Sequence, residues 1–274
     1  MNKLLIVSDL DYTLLNKKSK LSFKTKKYVH KLSKQGHMFV LATGRPYQGC
    51  INFYNELKLT TPLICDNGGS IHFPNNHSKD IYAKIPLEIF IDFIKDIKPY
   101  IHSAYSSDFE TIYFQNRNEV PKFIQHMNPP REIIEGDFEY IVKKSPINPS
   151  IFVKRLDNDK VLKIINQEKY SRFISYRNWV SNYDIATFEL YAKDGSKGDA
   201  LDKLIKLLNW PENQVLAFGD QMNDIEMITR AHHGVAMING REEVKNIAKY
   251  ITKKTHHKNG VIHYIKNYIK SSRK

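Results

Sequence analysis

The feature that most restricts this chain is an apolar run that stops at a pair of carboxylates. Leu4-Leu5-Ile6-Val7-Ser8 leads directly into Asp9-Leu10-Asp11. Four consecutive apolar residues suit a short strand buried on both faces, the kind found in parallel sheets. Alternate residues of an extended chain point the same way, so Asp9 and Asp11 project together from the strand end. Two carboxylates so placed repel, and beside a buried strand they require a cation or a shared proton. A strand followed by an ordinary acidic turn is the simpler alternative, and this stretch alone does not decide between them.

Other runs repeat the pattern. Residues 37–42 read as a buried strand and end in Thr43-Gly44-Arg45-Pro46, and residues 62–65 end in the turn Asp66-Asn67-Gly68-Gly69. Residues 215–218 form another such run, ending in Gly219-Asp220-Gln221-Met222-Asn223-Asp224. Helical patterns separate them. One lies over 22–35 with Gly36 as its stop, and one follows Ser196-Lys197-Gly198-Asp199 with Leu201, Leu204, Ile205 and Leu208 on one face. Pro46 suits the first turn of a further helix, with Thr43 or Gly44 near its cap. Further pieces at 225–231, 234–237, 250–252 and 261–269 complete an α/β pattern of buried strands and covering helices.

Residues 81–190 have a different texture. Helical spacing over 86–98 and 158–168 mixes with strand-like pieces at 101–105, 111–114, 150–156, 173–177 and 185–191, and a mixed segment runs through Pro129-Pro130. No acidic or Gly-rich turn marks the strand ends there. We read this stretch as an α+β module inserted into a core made of 1–80 and 191–274.

A chain of 274 residues with 41% hydrophobic and 12% aromatic content can bury a sizeable core. No apolar run approaches bilayer length, and Asp9 and Asp11 interrupt the N-terminal one, so neither a membrane span nor a secretory signal is expected. Cys50 and Cys65 lack metal-type spacing and read as reduced thiols, which makes the cytoplasm the expected compartment. The formal net charge of +13 raises a nucleic-acid reading. The lysines are dispersed along the sequence, however, and the basic tail over 266–274 is short, so a solvated surface that attracts anionic substrates is expected instead.

Three strand ends thus carry polar clusters: Asp9/Asp11, Thr43/Gly44 and Asp220/Asn223/Asp224. In an open parallel sheet such ends line one crevice, where ligands bind. Each residue also has a plainer reading, since Asp220, Asn223 and Thr43 could each cap a helix. Lys197 fits that reading poorly, because a cation at a helix N-terminus opposes the helix dipole unless an anion lies beside it. His232-His233 and His256-His257 lack a metal-ligand context and read as surface or loop residues. Together the carboxylates, Lys, Thr and Asn point to phosphate and a divalent cation.

On these motifs the chain resembles the haloacid dehalogenase superfamily. Asp9-Leu10-Asp11-Tyr12-Thr13, Thr43-Gly44-Arg45, Lys197 in Gly195-Ser196-Lys197-Gly198, and Gly219-Asp220-Gln221-Met222-Asn223-Asp224 match its four motifs in order. With Asn67-Gly68-Gly69 and the 81–190 insertion, the likeness is to Cof-type phosphatases, and Gln221 departs slightly from the Asn common there. The resemblance implies a doubly wound, mainly parallel Rossmann-like core with an α+β cap that sets specificity. It also implies an Mg²⁺-dependent phosphatase acting on small phosphorylated metabolites, such as sugar phosphates or pyridoxal phosphate. Asp9 would be the nucleophile that forms an aspartyl-phosphate, and Asp11 the general acid and then base. Asp9, the Asp11 backbone carbonyl and Asp220 would hold Mg²⁺, with Asp224 binding it directly or through water. Lys197, Thr43, Asn223 and the backbone N–H groups of Leu10 and Gly44 would bind phosphate, and Arg45 would touch the substrate. A carboxyl at position 11 separates this chemistry from family members that lack the metal-binding pair or carry Thr there. A phosphomutase shares every one of these residues, and a non-catalytic ligand- or nucleic-acid-binding protein is the alternative from another class. Oligomeric state is not legible.

Overall fold

Alternate residues of the first strand, β1 (Leu5–Ser8), face two different hydrophobic layers. Ile6 packs with Phe39, Leu41, Leu216 and Phe218, while Leu5 and Val7 pack with Val40, Ala42, Val215 and Ala217. A strand buried on both faces needs apolar residues at every position, which is why these segments read as unbroken runs. The structure, a computed structural model, describes residues 3–107, 111–122, 132–180 and 184–272.

The elements follow in chain order. After β1 come α1 (Phe23–Lys34), β2 (Met38–Leu41), α2 (Tyr47–Glu56), β3 (Leu63–Cys65), β4 (Ser70–His72) and β5 (Ile81–Tyr82). Then follow α3 (Leu87–Ile97), β6 (Ile101–Ser107), β7 (Thr111–Gln115), β8 (Glu132–Glu135), α4 (Phe138–Ile141) and β9 (Ser150–Lys154). The chain continues with α5 (Asn158–Ile165), α6 (Glu168–Ser171), β10 (Ile174–Val180), β11 (Ile185–Ala192), α7 (Lys197–Leu208) and β12 (Val215–Gly219). Last are α8 (Ile225–Arg230), β13 (His233–Ala236), α9 (Glu242–Ile247), β14 (Tyr250–Ile251) and α10 (Gly260–Ser271). Pro129-Pro130 lies outside the described residues.

Two compact units result. Met1–Ile81 joins Ser196–Lys274 in one, and Tyr82–Gly195 forms the other. The first holds a wholly parallel sheet in the order β14-β13-β12-β1-β2, extended by a parallel bridge between Ala42 and Ile64 of β3. Leu32 of α1 and Ile265 of α10 pack on one sheet face, Leu201 and Leu204 of α7 and Met227 of α8 on the other. From β1 the chain proceeds outward to β2, and it later returns to build β12 on the opposite side. The β1/β12 boundary is therefore a topological switch point, where the loops at the carboxyl ends part and leave a crevice.

The second unit contains a six-stranded sheet, β10-β11-β9-β6-β7-β8, antiparallel except between β7 and β8. Phe90, Phe93 and Ile94 of α3 share its core with Val161 and Ile165 of α5 and with Ile151, Val153 and Phe188 of the sheet. Among the described residues no helix is long and apolar enough to cross a membrane.

The fold corrects three readings. Pro46 is the N-cap of α2, not a first-turn residue, and Thr43 and Gly44 lie upstream of the helix. His233 belongs to β13, where it is buried, stacks on Tyr250 with ring centroids 3.9 Å apart and bonds the Tyr264 hydroxyl at 2.7 Å. His256 does lie in a loop, the turn before α10, but is buried there, edge-on to Tyr12. Basic residues dispersed in sequence are also gathered in space. Neither 12–55 nor 244–274 contains an Asp or Glu, and α1 packs on α10. Lys24, Lys27, Lys31, Lys34 and Lys266 accordingly line one open groove of about 530 Å³.

Candidate active site

Asp9 is the first residue past β1, and its N–H donates to the Phe218 carbonyl of β12 at 3.0 Å. This places it at the switch point. The chain then closes a wide turn, with Leu15 N–H donating to the Leu10 carbonyl at 2.8 Å. Tyr12 takes φ 57° inside that turn, a left-handed conformation uncommon for a bulky side chain and worth attention beside a site. Leu10 turns its side chain into the core.

Lys197, the first residue of α7, is fully buried and bridges two carboxylates. Its Nζ donates to Asp9 Oδ1 at 2.7 Å and to Asp224 Oδ1 at 2.6 Å. The helix start is fixed by a capping box, in which Ser196 Oγ accepts from Asp199 N–H at 3.1 Å and Asp199 Oδ2 accepts from Ser196 N–H at 3.0 Å. The turn over 66–69 packs against this start. Gly68 has φ +103°, and a Cβ there would lie 2.1 Å from the Ser196 carbonyl oxygen, so only glycine lets the two segments meet.

Asp224 folds back over its own turn. Its Oδ2 accepts from the N–H groups of Asp220 at 2.8 Å and Gln221 at 3.0 Å. Asp220 Oδ1 accepts from Thr13 Oγ at 2.7 Å, tying the end of β12 to the loop after β1. Thr43 is buried at the end of β2, where its hydroxyl accepts from Arg45 N–H at 3.1 Å, and Gly44 packs against the Asn67 side chain. Asn223 Nδ2 donates to Asn67 Oδ1 at 2.7 Å. Arg45 grips Asp11 in a two-point fork, Nε to Oδ2 and Nη2 to Oδ1, each 2.7 Å.

The structure therefore brings Asp9, Lys197, Asp220 and Asp224 into one buried cluster and joins Asp11 to Arg45 beside it. Thr13, Asn67 and Ser196 belong to the same framework but were not singled out from sequence. Thr13 and Asn67 lie within stretches already marked by Asp9 and by the Gly68-Gly69 turn, which was the available signal.

Three buried carboxylates with one lysine leave negative charge uncompensated. Burial, reinforced by Asp224 and Asp220, raises the Asp9 carboxyl well above its ordinary value despite Lys197. Asp220 is pushed up to about 7, first by burial and then by Asp224. Burial alone would lower the Lys197 ammonium, but Asp224 and Asp9 hold it above its usual range. Donor oxygens of Asp9, Asp220 and Asp224 lie within 4.8 Å of one another. An all-carboxylate donor set of this kind suits a hard divalent cation such as Mg²⁺.

A pH dependence follows. Asp220 binds its proton more tightly in the folded chain than in the unfolded one. Its contribution to stability is therefore fully present below the ordinary carboxylate range and lost as the pH rises through about 7. A cation requires the ionised form, so its binding strengthens over the same interval. We expect millimolar Mg²⁺ to raise the melting temperature more at pH 8 than at pH 6, as read by scanning calorimetry. Equal shifts at both values would separate the cation from this cluster.

Residues 6–265 match the model of the haloacid dehalogenase-like hydrolases, so the chain belongs to that family. Within it the chain is a phosphatase-type enzyme of the Cof kind. It is 29% identical over 266 residues to 5-amino-6-(5-phospho-D-ribitylamino)uracil phosphatase YitU of Bacillus subtilis, covering 96% of this chain and 97% of that protein. It is 25% identical to the pyridoxal phosphate phosphatase YbhA of Escherichia coli, covering 92% and 93% respectively. The crystal structure of TM0651 from Thermotoga maritima superposes with a TM-score of 0.79 at 27% identity, over 97% of each chain.

Proposed function

We propose that this chain hydrolyses phosphomonoesters of small metabolites through a phosphorylated Asp9. The observation that carries the reading is the carboxylate cluster around Lys197. Asp9 and Lys197, 188 positions apart in sequence, meet there, and among the described residues no protein hydrogen bond reaches Asp9 Oδ2. That oxygen attacks phosphorus as the ester oxygen departs, and Asp11 supplies the proton the leaving alkoxide needs. Water then attacks the aspartyl-phosphate, Asp11 takes its proton, and phosphate leaves with Asp9 regenerated. Lys197, Thr43, Asn223 and the N–H groups of Leu10 and Gly44 stabilise the transferring group.

Mg²⁺ would be held by Asp9, the Asp11 backbone carbonyl and Asp220. When bound, it supplies the positive charge that lets an anionic nucleophile meet an anionic ester. Both Asp224 oxygens are engaged by Lys197 and backbone N–H groups, which supports a role through water for this residue. Arg45 bears on the acid step. A carboxyl carrying the proton it must donate cannot also serve both arms of a guanidinium fork. Protonation of Asp11 therefore releases Arg45, in this reading toward the substrate.

Relatives acting on a ribitylaminouracil phosphate and on pyridoxal phosphate support a small organic phosphate as substrate. The test is a panel of phosphorylated metabolites offered with and without Mg²⁺. Release of phosphate only with the cation supports the proposal, and inertness toward every ester overturns it. Transfer to a second substrate hydroxyl in place of water would indicate a phosphomutase. In the same assay Asp11→Asn should slow alkyl phosphates by about 10²–10⁴-fold and aryl phosphates much less, since an aryloxide leaves without a proton. Equal slowing of both classes would remove Asp11 from the acid role.

A further inference from the structure

Away from the carboxylate cluster, one nine-residue stretch gathers two imidazoles and a carboxylate. His72 ends β4, His77 opens a tight turn, and Asp80 follows that turn. Successive bonds fold the segment back: Asn76 N–H to the Phe73 carbonyl at 2.7 Å, and Asp80 N–H to the His77 carbonyl at 3.1 Å. Nδ1 of His72 and Nδ1 of His77 lie 2.7 and 3.0 Å from the same oxygen, Asp80 Oδ2. We propose that His72, His77 and Asp80 form a second metal site, for a zinc-type transition-metal dication, that staples the β4–β5 connection.

Donor chemistry distinguishes the site from the first one. Two imidazole nitrogens and one carboxylate oxygen suit Zn²⁺ or Co²⁺, whereas three carboxylates suit Mg²⁺. The three donor atoms already lie within 4.8 Å of one another. Bonds of about 2.0–2.1 Å in a tetrahedral shell set donor atoms roughly 3.3 Å apart. The present separations of 2.7 and 3.0 Å to Asp80 Oδ2 need to open by only a few tenths of an ångström. A dication would replace the protons those contacts now share.

The surroundings are built for orientation. Asp80 Oδ1 accepts from Phe73 N–H at 2.7 Å, which fixes the carboxylate plane with Oδ2 toward the imidazoles. Tyr47 lies against both rings, with centroids 4.7 Å from His72 and 5.3 Å from His77. Its hydroxyl is 3.4 Å from Nε2 of His77, a polar partner on the far side of the ring from the donor atom. Burial is graded. The side chains of His72 and Asp80 are 2% and 4% exposed, and His77 is 47% exposed, so solvent and an ion reach the site from the His77 side. Tyr47 opens α2, so an ion here would brace the β3–β4 hairpin, which carries the Asn67 turn, against α2.

The test uses the full chain, stripped with a chelator and kept in excess Mg²⁺ to occupy the carboxylate cluster. Added Co²⁺ should give the visible absorption of a four-coordinate imidazole site, saturating at one equivalent and bleached by Zn²⁺. In His77→Ala the bands should vanish and Zn²⁺ affinity fall at least about 100-fold, since losing even an outer partner of a ligand costs 10–100-fold. Mg²⁺-supported phosphatase activity and the melting temperature without zinc should both be retained, which excludes a folding defect. Asp220→Asn should leave the bands in place. Absent bands in the wild type, bands surviving His77→Ala, or bands lost in Asp220→Asn would each overturn the site.

Discussion

Replacing Asp9 with Asn should lower phosphate-ester turnover by roughly 10⁴-fold or more, the scale seen when a nucleophile is removed from a site that otherwise stays intact. The amide cannot form the acyl phosphate, and no other carboxylate replaces it. Both Asp224 oxygens are already engaged, Asp220 is tied to Thr13, and Asp11 is held by Arg45. Stability should move the other way. Burial and two neighbouring carboxylates disfavour the ionised form of Asp9, so a neutral isostere removes repulsion while Lys197 keeps its bond to Asp224. The melting temperature of the metal-free variant should match or exceed that of the wild type. Steady-state kinetics and calorimetry on one preparation separate the outcomes. Retained turnover removes Asp9 from the nucleophile role, and lost turnover with a collapsed fold would make it structural.

The parts of this site readable in the sequence are those that lie at the ends of apolar runs. Leu5–Ser8, Met38–Leu41 and Val215–Gly219 are central strands buried on both faces, so their composition is continuous and their ends abrupt. Whatever polar residue follows such a strand stands at the crevice, which is how Asp9, Thr43 and Asp220 were found. Lys197 was visible for an electrostatic reason, as a cation at the wrong end of a helix. Pairings between distant turns were not visible. The Thr13–Asp220 and Asn67–Asn223 bonds join residues 207 and 156 positions apart, and nothing in either local segment encodes the partner. The Arg45–Asp11 fork was missed for the same reason. Strand β4, Ser-Ile-His, carries too little apolar pattern to stand out, and His233 reads as polar until the rings of Tyr250 and Tyr264 are seen around it. Lysines spaced for two separate helices became one basic groove only when α1 packed on α10.

Lys197→Met should destabilise the metal-free protein by about 3–5 kcal/mol near neutral pH, the cost of removing one partner from a buried ion cluster. Methionine fills much of the same volume, so the loss would be electrostatic and not a cavity effect. The ammonium is fully buried and is the cation that touches both Asp9 and Asp224. Without it, three carboxylates face one another in a site that water barely reaches. Two dependences distinguish this from ordinary core damage. Lowering the pH protonates the carboxylates, so the deficit should shrink as the pH falls below about 7, where Asp220 already takes up its proton in the wild type. Mg²⁺ should recover part of the deficit by restoring positive charge, yet it should not restore turnover, because the phosphoryl group has still lost a donor. Coupling provides the last check. In the double variant with Asp9→Asn, the penalty of Lys197→Met should fall well below its value in the wild-type background, since one of the repelling charges is gone. Urea unfolding at pH 5.5 and pH 8 measures all of these quantities. A penalty that is the same at both pH values and strictly additive with Asp9→Asn would mean that Lys197 serves as packing, and the electrostatic account of the cluster would fall with it.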